Sequence, residues 1–281
     1  MSEAIKIESV KKSWFKDNAI LKIIYAPPFL ITLILVIGHY GFGILESFWA
    51  ILLAIGVSVV TELILSKLFL GKFKNISSSY ITGNSVSILI RSTSLWPFAL
   101  AAIISVMSKY VLRYKGKHLW NPSNFGISWV LLFLPTEAAA LGIQWGNNIW
   151  PMLVIWTLGL LIVWRVKKLH ITLTYVISFI FFSFIRSQIT GDSFFAEIAP
   201  LTGPMYQLFI FFMITDPPTT VRSFKGQILV VFLVAFVEFI LRLNQVIYAP
   251  FYALAMVGPT ALFIDLYLKD RKTVEKVSVL N

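Results

Sequence analysis

The sequence predicts an all-α membrane protein of about ten transmembrane helices, in two inverted five-helix repeats with a short or broken third and eighth helix. Three observations predict it. The 281 residues are 58% hydrophobic and 13% charged, whereas a soluble domain is usually nearer about 25% charged. Several apolar runs reach the roughly 20 residues that cross a hydrocarbon core of about 30 Å. Basic residues collect in alternate short connections, as topology signals do.

Composition also excludes several chemistries. The net charge of +11 falls in short loops, which reads as membrane topology and not as nucleic-acid binding. With no cysteine there is no disulfide, no thiolate and no self-supplied iron–sulfur cluster. His39, His118 and His170 sit at predicted segment ends, as interfacial histidines do, without the clustering that a metal site needs. The sequence carries no phosphate-cradling glycine loop, no serine elbow and no His-Glu metalloprotease motif.

Residues 1–19 read as a cytoplasmic tail. Ile5, Ile7, Val10 and Trp14 alternate with Lys6, Lys11, Lys12 and Lys16, which suits either a helix lying on the membrane or a disordered tail. Repeat 1 spans 20–141, with elements at about 20–40, 45–70, 80–91, 95–113 and 122–135. Repeat 2 spans 142–270, with elements at about 149–165, 169–187, 203–214, 227–243 and 247–268. Residues 271–281 form a second cytoplasmic tail. With the N-terminus inside, 20 of the 24 basic residues fall inside; Arg91, Arg186 and Arg242 fall outside, and Lys109 lies within a helix. Dropping either short element inverts everything after it and destroys this bias, so both termini are expected to be cytoplasmic.

The repeat rests on paired openings. Ile81-Thr82-Gly83 starts the third element and Leu201-Thr202-Gly203 the eighth. Trp120-Asn121-Pro122 starts the fifth and Tyr248-Ala249-Pro250 the tenth. Thr82 to Pro122 is 40 residues and Thr202 to Pro250 is 48, the excess matching the 216–223 loop. Five elements per half is an odd number, so the halves are inverted, an arrangement in which transporters place a central site between repeats, lined by discontinuous helices.

Two polar stretches are the candidate site: Asn121-Pro122-Ser123-Asn124-Phe125-Gly126 and Thr215-Asp216-Pro217-Pro218-Thr219-Thr220. Asn121 suits an N-cap with Pro122 at the first helical position, and Asp216-Pro217 repeats that signature. Capping at a membrane surface accounts for this. Equally, such helix starts offer free N–H groups to an anion, while Asp216 suits a flavin edge, a ribityl hydroxyl or a cation. The candidate ligand-binding residues are Thr82, Gly83, Asn121, Asn124, Thr202, Gly203, Thr215, Asp216 and Thr219. Glu62 and Lys109, inside spans, are expected either to pair with each other or to line an ion path. Glu238 with Arg242, and Asp265 with Lys269, have the spacing of same-face helix ion pairs. Trp49, Trp96, Trp120, Trp145, Trp150 and Trp164 fall near segment ends, as a membrane-interface belt does.

Four stretches together resemble the RnfD/NqrB family: Ile81-Thr82-Gly83, the Asn121 hexapeptide, Phe212-Met213-Ile214-Thr215-Asp216-Pro217 with its threonines, and Pro259 with Phe263-Ile264-Asp265. These are the integral-membrane subunits of Rnf and sodium-pumping NADH:quinone reductase complexes, and the resemblance covers about 20–270. It implies a ten-helix bundle of inverted repeats similar to urea transporters, flavin binding, and electron transfer coupled to Na⁺ or H⁺ movement. Many family members attach flavin mononucleotide to a threonine of a Ser-Gly-Ala-Thr type motif between the halves. Here the connection 136–148, TEAAALGIQWGNN, lacks that motif, so the chain is closer to the short UnbU-like branch. Any flavin, whether flavin mononucleotide or riboflavin, is then expected to be noncovalent.

The expectation is therefore a bacterial cytoplasmic (inner) membrane electron-transfer protein, possible subunit of an oxidoreductase complex, surrounded by lipid and docking a redox partner protein or a second copy of itself. The alternative is a non-redox transporter or channel of the same fold, for a small polar solute or a flavin. A third is a scaffold that docks a redox partner on the basic face.

Overall fold

The computed structural model describes residues 47–140 and 149–280, together with 28, 29, 31–33, 36, 37 and 40. The 1–19 tail, much of the 20–40 element and the 141–148 part of the central connection, with Trp145 and His39, lie outside the described residues.

Among the described residues the chain is mostly helical. Four helices are long and apolar enough to cross a membrane: α1 (Phe48–Leu70), α6 (Leu169–Thr190), α9 (Phe224–Leu243) and the Ala249–Arg271 part of α10 (Ala249–Leu280). Their surfaces are apolar where they face outward: Leu68 on α1, Ile177 on α6 and Leu229 on α9 are all more than half exposed. Helices with apolar outer faces need a nonaqueous surrounding, and the chain is an all-α membrane protein on that ground.

Shorter helices fill the spaces between them. These are α2 (Ser77–Leu89), α3 (Trp96–Val111), α4 (Pro122–Phe133), α5 (Ile149–Arg165), α7 (Phe194–Ile198) and α8 (Pro204–Leu208). At 13 and 12 residues, α2 and α4 span only about 18–20 Å. The ends have local causes. Ser47 caps α1, which stops at Gly71 in the left-handed conformation at φ 69°. Asn121 caps α4 by accepting the Asn124 N–H, and Pro122 takes the first helical position. At its far end α4 stops before Pro135, because the residue preceding a proline disfavours helix.

The third expected element is cut short by strand pairing. After Leu89 the chain turns extended, and β1 (Ile90–Arg91) pairs antiparallel with β4 (Ala139–Ala140) beyond α4. The eighth is interrupted differently. A 3₁₀ turn, Ala199–Thr202, leads through Gly203 into α8, which widens into a π turn, Phe209–Met213, before Pro217 and Pro218 stop it. Between α3 and α4, β2 (Arg113–Tyr114) and β3 (Lys117–His118) form a hairpin. Its two-residue turn, Lys115-Gly116, has φ 48° and 79°, the signature of a tight hairpin with both central residues left-handed.

Two helix pairs frame the bundle. α1 and α3 run parallel: Glu62 meets Lys109 and Tyr110 near both C-terminal ends, while Ala50 and Phe98 share a small cavity with Ser87 and Arg91 near both N-terminal ends. α2 packs between them in the opposite direction, with Ser78 at the Glu62 end. Contact is close there: a Cβ on Gly83 would sit 2.6 Å from the Ile55 Cα, and one on Gly126 of α4 would sit 2.5 Å from the Ala101 carbonyl oxygen of α3. α6 and α9 are also parallel, with His170 against Gln227 at 2.6 Å near their starts and Arg186 and Arg242 both on Glu197 near their ends. The broken segment from α7 to Met213 lies alongside this pair.

The hairpin following α3 packs against Pro217–Thr219, which leads into α9. The C-terminal ends of α1 and α3 and the N-terminal ends of α6 and α9 therefore gather at one end of the bundle. Lys67, Lys74, Arg113, Lys115, Lys168 and Lys225 come with them, and Lys115 bridges to Asp270 of α10. Trp49, Trp96, Trp150 and Trp164 are exposed, whereas Trp120 turns inward and donates to the Ala255 carbonyl at 2.9 Å.

Candidate functional site

Two polar stretches, far apart in sequence, come together at the basic end. The Asn121 side chain accepts the Asn124 N–H at 3.0 Å and donates from Nδ2 to the Met213 carbonyl at 3.4 Å. Asn124 donates from Nδ2 to the Phe251 carbonyl at 3.1 Å, and Ser128 donates to the same oxygen at 3.3 Å. These bonds tie α4 to the first turn of α10, where Ala249 and Phe251 are fully buried.

The second stretch is held mainly by its own side chains. Thr219 donates to the Asp216 carboxylate at 2.8 Å, Thr220 donates to the Asp216 carbonyl, and Thr215 donates back to the Phe211 carbonyl at 2.7 Å. Thr215 thus repairs the helix end that the prolines leave open. Burial pushes the Asp216 carboxyl up to about 6, against the opposing pull of Thr219, Lys109 and Asn121. Nearby His118 is pushed down to about 4 by burial and then by Lys109, so its imidazole is neutral at physiological pH.

Between the stretches lies a cavity of about 30 Å³. Asn121, Asn124, Thr219, Thr220 and Gln227 supply its polar lining, against an apolar wall that includes Met213, Val231 and Pro259. The Oδ1 of Asn124 is buried and finds no donor among the described residues. A buried acceptor without a donor is costly, and this one calls for a small guest that donates or carries positive charge.

The other sequence-derived candidates sit elsewhere. Thr82 is buried in α2 and donates to the Ser78 carbonyl at 2.9 Å, and Gly83 provides the close approach of α2 to α1. Thr202 is exposed and caps its own turn through the Ala199 carbonyl at 2.7 Å, with Gly203 next to it at the start of α8. These four residues are not part of the cavity lining. Glu62 and Lys109 do pair, at 2.8 Å, both buried, with Tyr110 on the second carboxylate oxygen at 2.7 Å and Ser78 on the ammonium at 3.1 Å. The expected Asp265–Lys269 pair is present.

The expected Glu238–Arg242 pair is not made. Arg242 instead bonds Glu197 of α7 at 3.0 Å and stacks over Phe179, while both oxygens of Glu238 accept from tyrosines, Tyr175 of α6 and Tyr206 of α8. Sequence spacing missed this because Glu197 reaches Arg242 across 45 residues.

At about 30 Å³ the cavity between the two stretches is roomy enough for water. Among the described residues no cluster of His, Asp or Glu has the arrangement of a metal site. No family model matches the chain, and no curated protein matches it either.

Proposed function

We propose that the chain is a membrane transport protein of two inverted five-segment repeats, moving a proton or a small cation past the point where its polar stretches meet. The observation that carries this is the convergence of Asn121 and Asn124 with Thr219 and Thr220 on one small cavity, where the Asn124 Oδ1 has no donor among the described residues. Supporting the inversion, α1 and α3 end at the basic face of the bundle whereas α6 and α9 start there. Each pair also holds a buried carboxylate beneath a tyrosine of its partner helix: Glu62 with Tyr110, and Glu238 with Tyr175. The basic end is the cytoplasmic one on the positive-inside rule, and a bacterial inner membrane is the setting that this reading gives it.

The test is reconstitution. Vesicles holding the purified chain and a trapped ion- or pH-sensitive dye should show flux under an imposed gradient, and Asn124→Leu should reduce it. Vesicles as tight as empty ones under H⁺, Na⁺ and K⁺ gradients would overturn the reading.

A second reading, electron transfer of RnfD/NqrB type, is favoured by the order of the four resembling stretches along the chain. It requires a noncovalent flavin, for which the cavity of about 30 Å³ between the stretches would have to open. An absorption spectrum of the purified protein, before and after added riboflavin or flavin mononucleotide, decides it.

A further inference from the structure

We propose that Glu238 is a reversible proton-binding site, placed between the water-sized cavity and the opposite end of the bundle. This deepens the transport reading by naming its cargo, and rests on it for the direction of travel.

The geometry sets Glu238 apart from the other buried carboxylate of the spans. Glu62 is neutralised by a lysine at 2.8 Å. Glu238, equally buried at 0% exposure, takes its hydrogen bonds among the described residues from phenols, with Tyr206 at 2.7 Å on Oε1 and Tyr175 on Oε2, while Arg242 acts on it without a bond. Among the described residues no ion pair includes it. Arg242, one turn further along α9, is already committed to Glu197, to Ser183 and to the face of Phe179. Arg186 of α6 also bonds Glu197. α10, on the other side of α9, carries its ion pairs at Asp265 and Asp270, toward the basic end.

An ionised carboxylate inside a span, without a bonded cation, costs several kcal/mol by the rough scale of such burial. Taking up one proton removes that cost. The step is acid–base only: the carboxylate becomes a carboxylic acid, no carbon bond changes and no electron moves.

Hydrogen-bonding groups continue on both sides. Toward the far end, Glu197 is buried at 3% while Arg186 and Arg242 are 19% and 13% exposed, so the cluster comes to the protein surface within a turn of Glu238. Toward the basic end, Tyr175 is preceded one turn earlier on α6 by Thr172, whose buried hydroxyl has no partner among the described residues. Beyond it His170 bonds Gln227, which lines the cavity.

The experiment uses the full chain in lipid vesicles, with two readouts. Infrared difference spectra over a pH series should show a carboxylic-acid carbonyl band that disappears in Glu238→Gln and persists in Glu62→Gln. Tyr206→Phe, which keeps the carboxyl group, should shift that band. Proton flux into dye-loaded vesicles should fall about 100-fold in Glu238→Gln, the scale of losing a proton-transferring group. A band unaffected by Glu238→Gln overturns the proposal. Undiminished flux in Glu238→Gln overturns it too, while leaving the transport reading intact. A Glu238 band without wild-type flux of any ion sinks the transport reading and leaves the proton site standing.

Discussion

The Asn121 side-chain amide donates to the backbone carbonyl of Met213 at 3.4 Å, across 92 residues of chain. One asparagine therefore does two things: its oxygen caps α4 and its nitrogen holds the end of the broken helix. Replacing Asn121 by Ala loses both, and the cap alone is worth about 1 kcal/mol. Thermal unfolding in detergent should drop by roughly 2–4 °C for each kcal/mol lost. Asn121→Asp keeps the cap and removes the donor, so it should fall between the wild type and Asn121→Ala.

Lys109→Met should be the most damaging single change in the α1–α3 pair. It leaves Glu62 buried with Tyr110 as its remaining close partner, and breaking a buried pair from one side costs about 3–5 kcal/mol. The double variant Glu62→Gln, Lys109→Met should recover part of that loss. Yield of folded protein and detergent melting temperature read both.

Gly126→Ala should loosen α3 from α4. Its new methyl would lie 2.5 Å from the Ala101 carbonyl oxygen, and overpacking of this kind costs about 1–3 kcal/mol. Gly83→Ala should behave alike against α1. Gly56→Ala, where nothing lies within 4 Å, should cost nothing and serves as the control.

Asp216 gives the stretch at the cavity a pH dependence of definite sign. Its carboxyl is raised from 3.8 to about 6, so the folded state holds the proton longer than the unfolded chain. The stability that this contributes is fully present below 3.8 and is lost as pH rises through about 6. Melting temperatures of wild type should therefore fall relative to Asp216→Asn across that window and run parallel to it above. A wild-type deficit against Asp216→Asn that grows with falling pH would contradict the assignment.

Local chemistry made part of this legible from sequence. Asn121 before Pro122 is a helix start wherever it occurs, and the 122–135 element begins there. Glu62 and Lys109, each deep in an apolar run, invite either a pair or an ion path, and they pair. Long-range competition hid the rest. The i,i+4 spacing of Glu238 and Arg242 was sound, but Glu197 on a short helix captured the arginine, and two tyrosines from other elements took the carboxylate. Gly83 serves a close approach to the backbone of α1, which its place in an apolar run does not reveal. Nor does a sequence report which polar residues meet: of the nine candidate ligand-binding residues, Asn121, Asn124 and Thr219 line the small cavity.

The most direct test of the account is whether its two polar stretches touch in a lipid bilayer. The chain contains no cysteine, so Asn121→Cys with Asp216→Cys introduces the only two thiols. A short bifunctional thiol reagent applied to intact membranes, followed by peptide mass spectrometry, should join the 121 and 216 peptides. A control pair, Asn121→Cys with Thr202→Cys, should stay unjoined. Joining of the control pair but not of the 121–216 pair would contradict the meeting of the halves on which the proposed site depends.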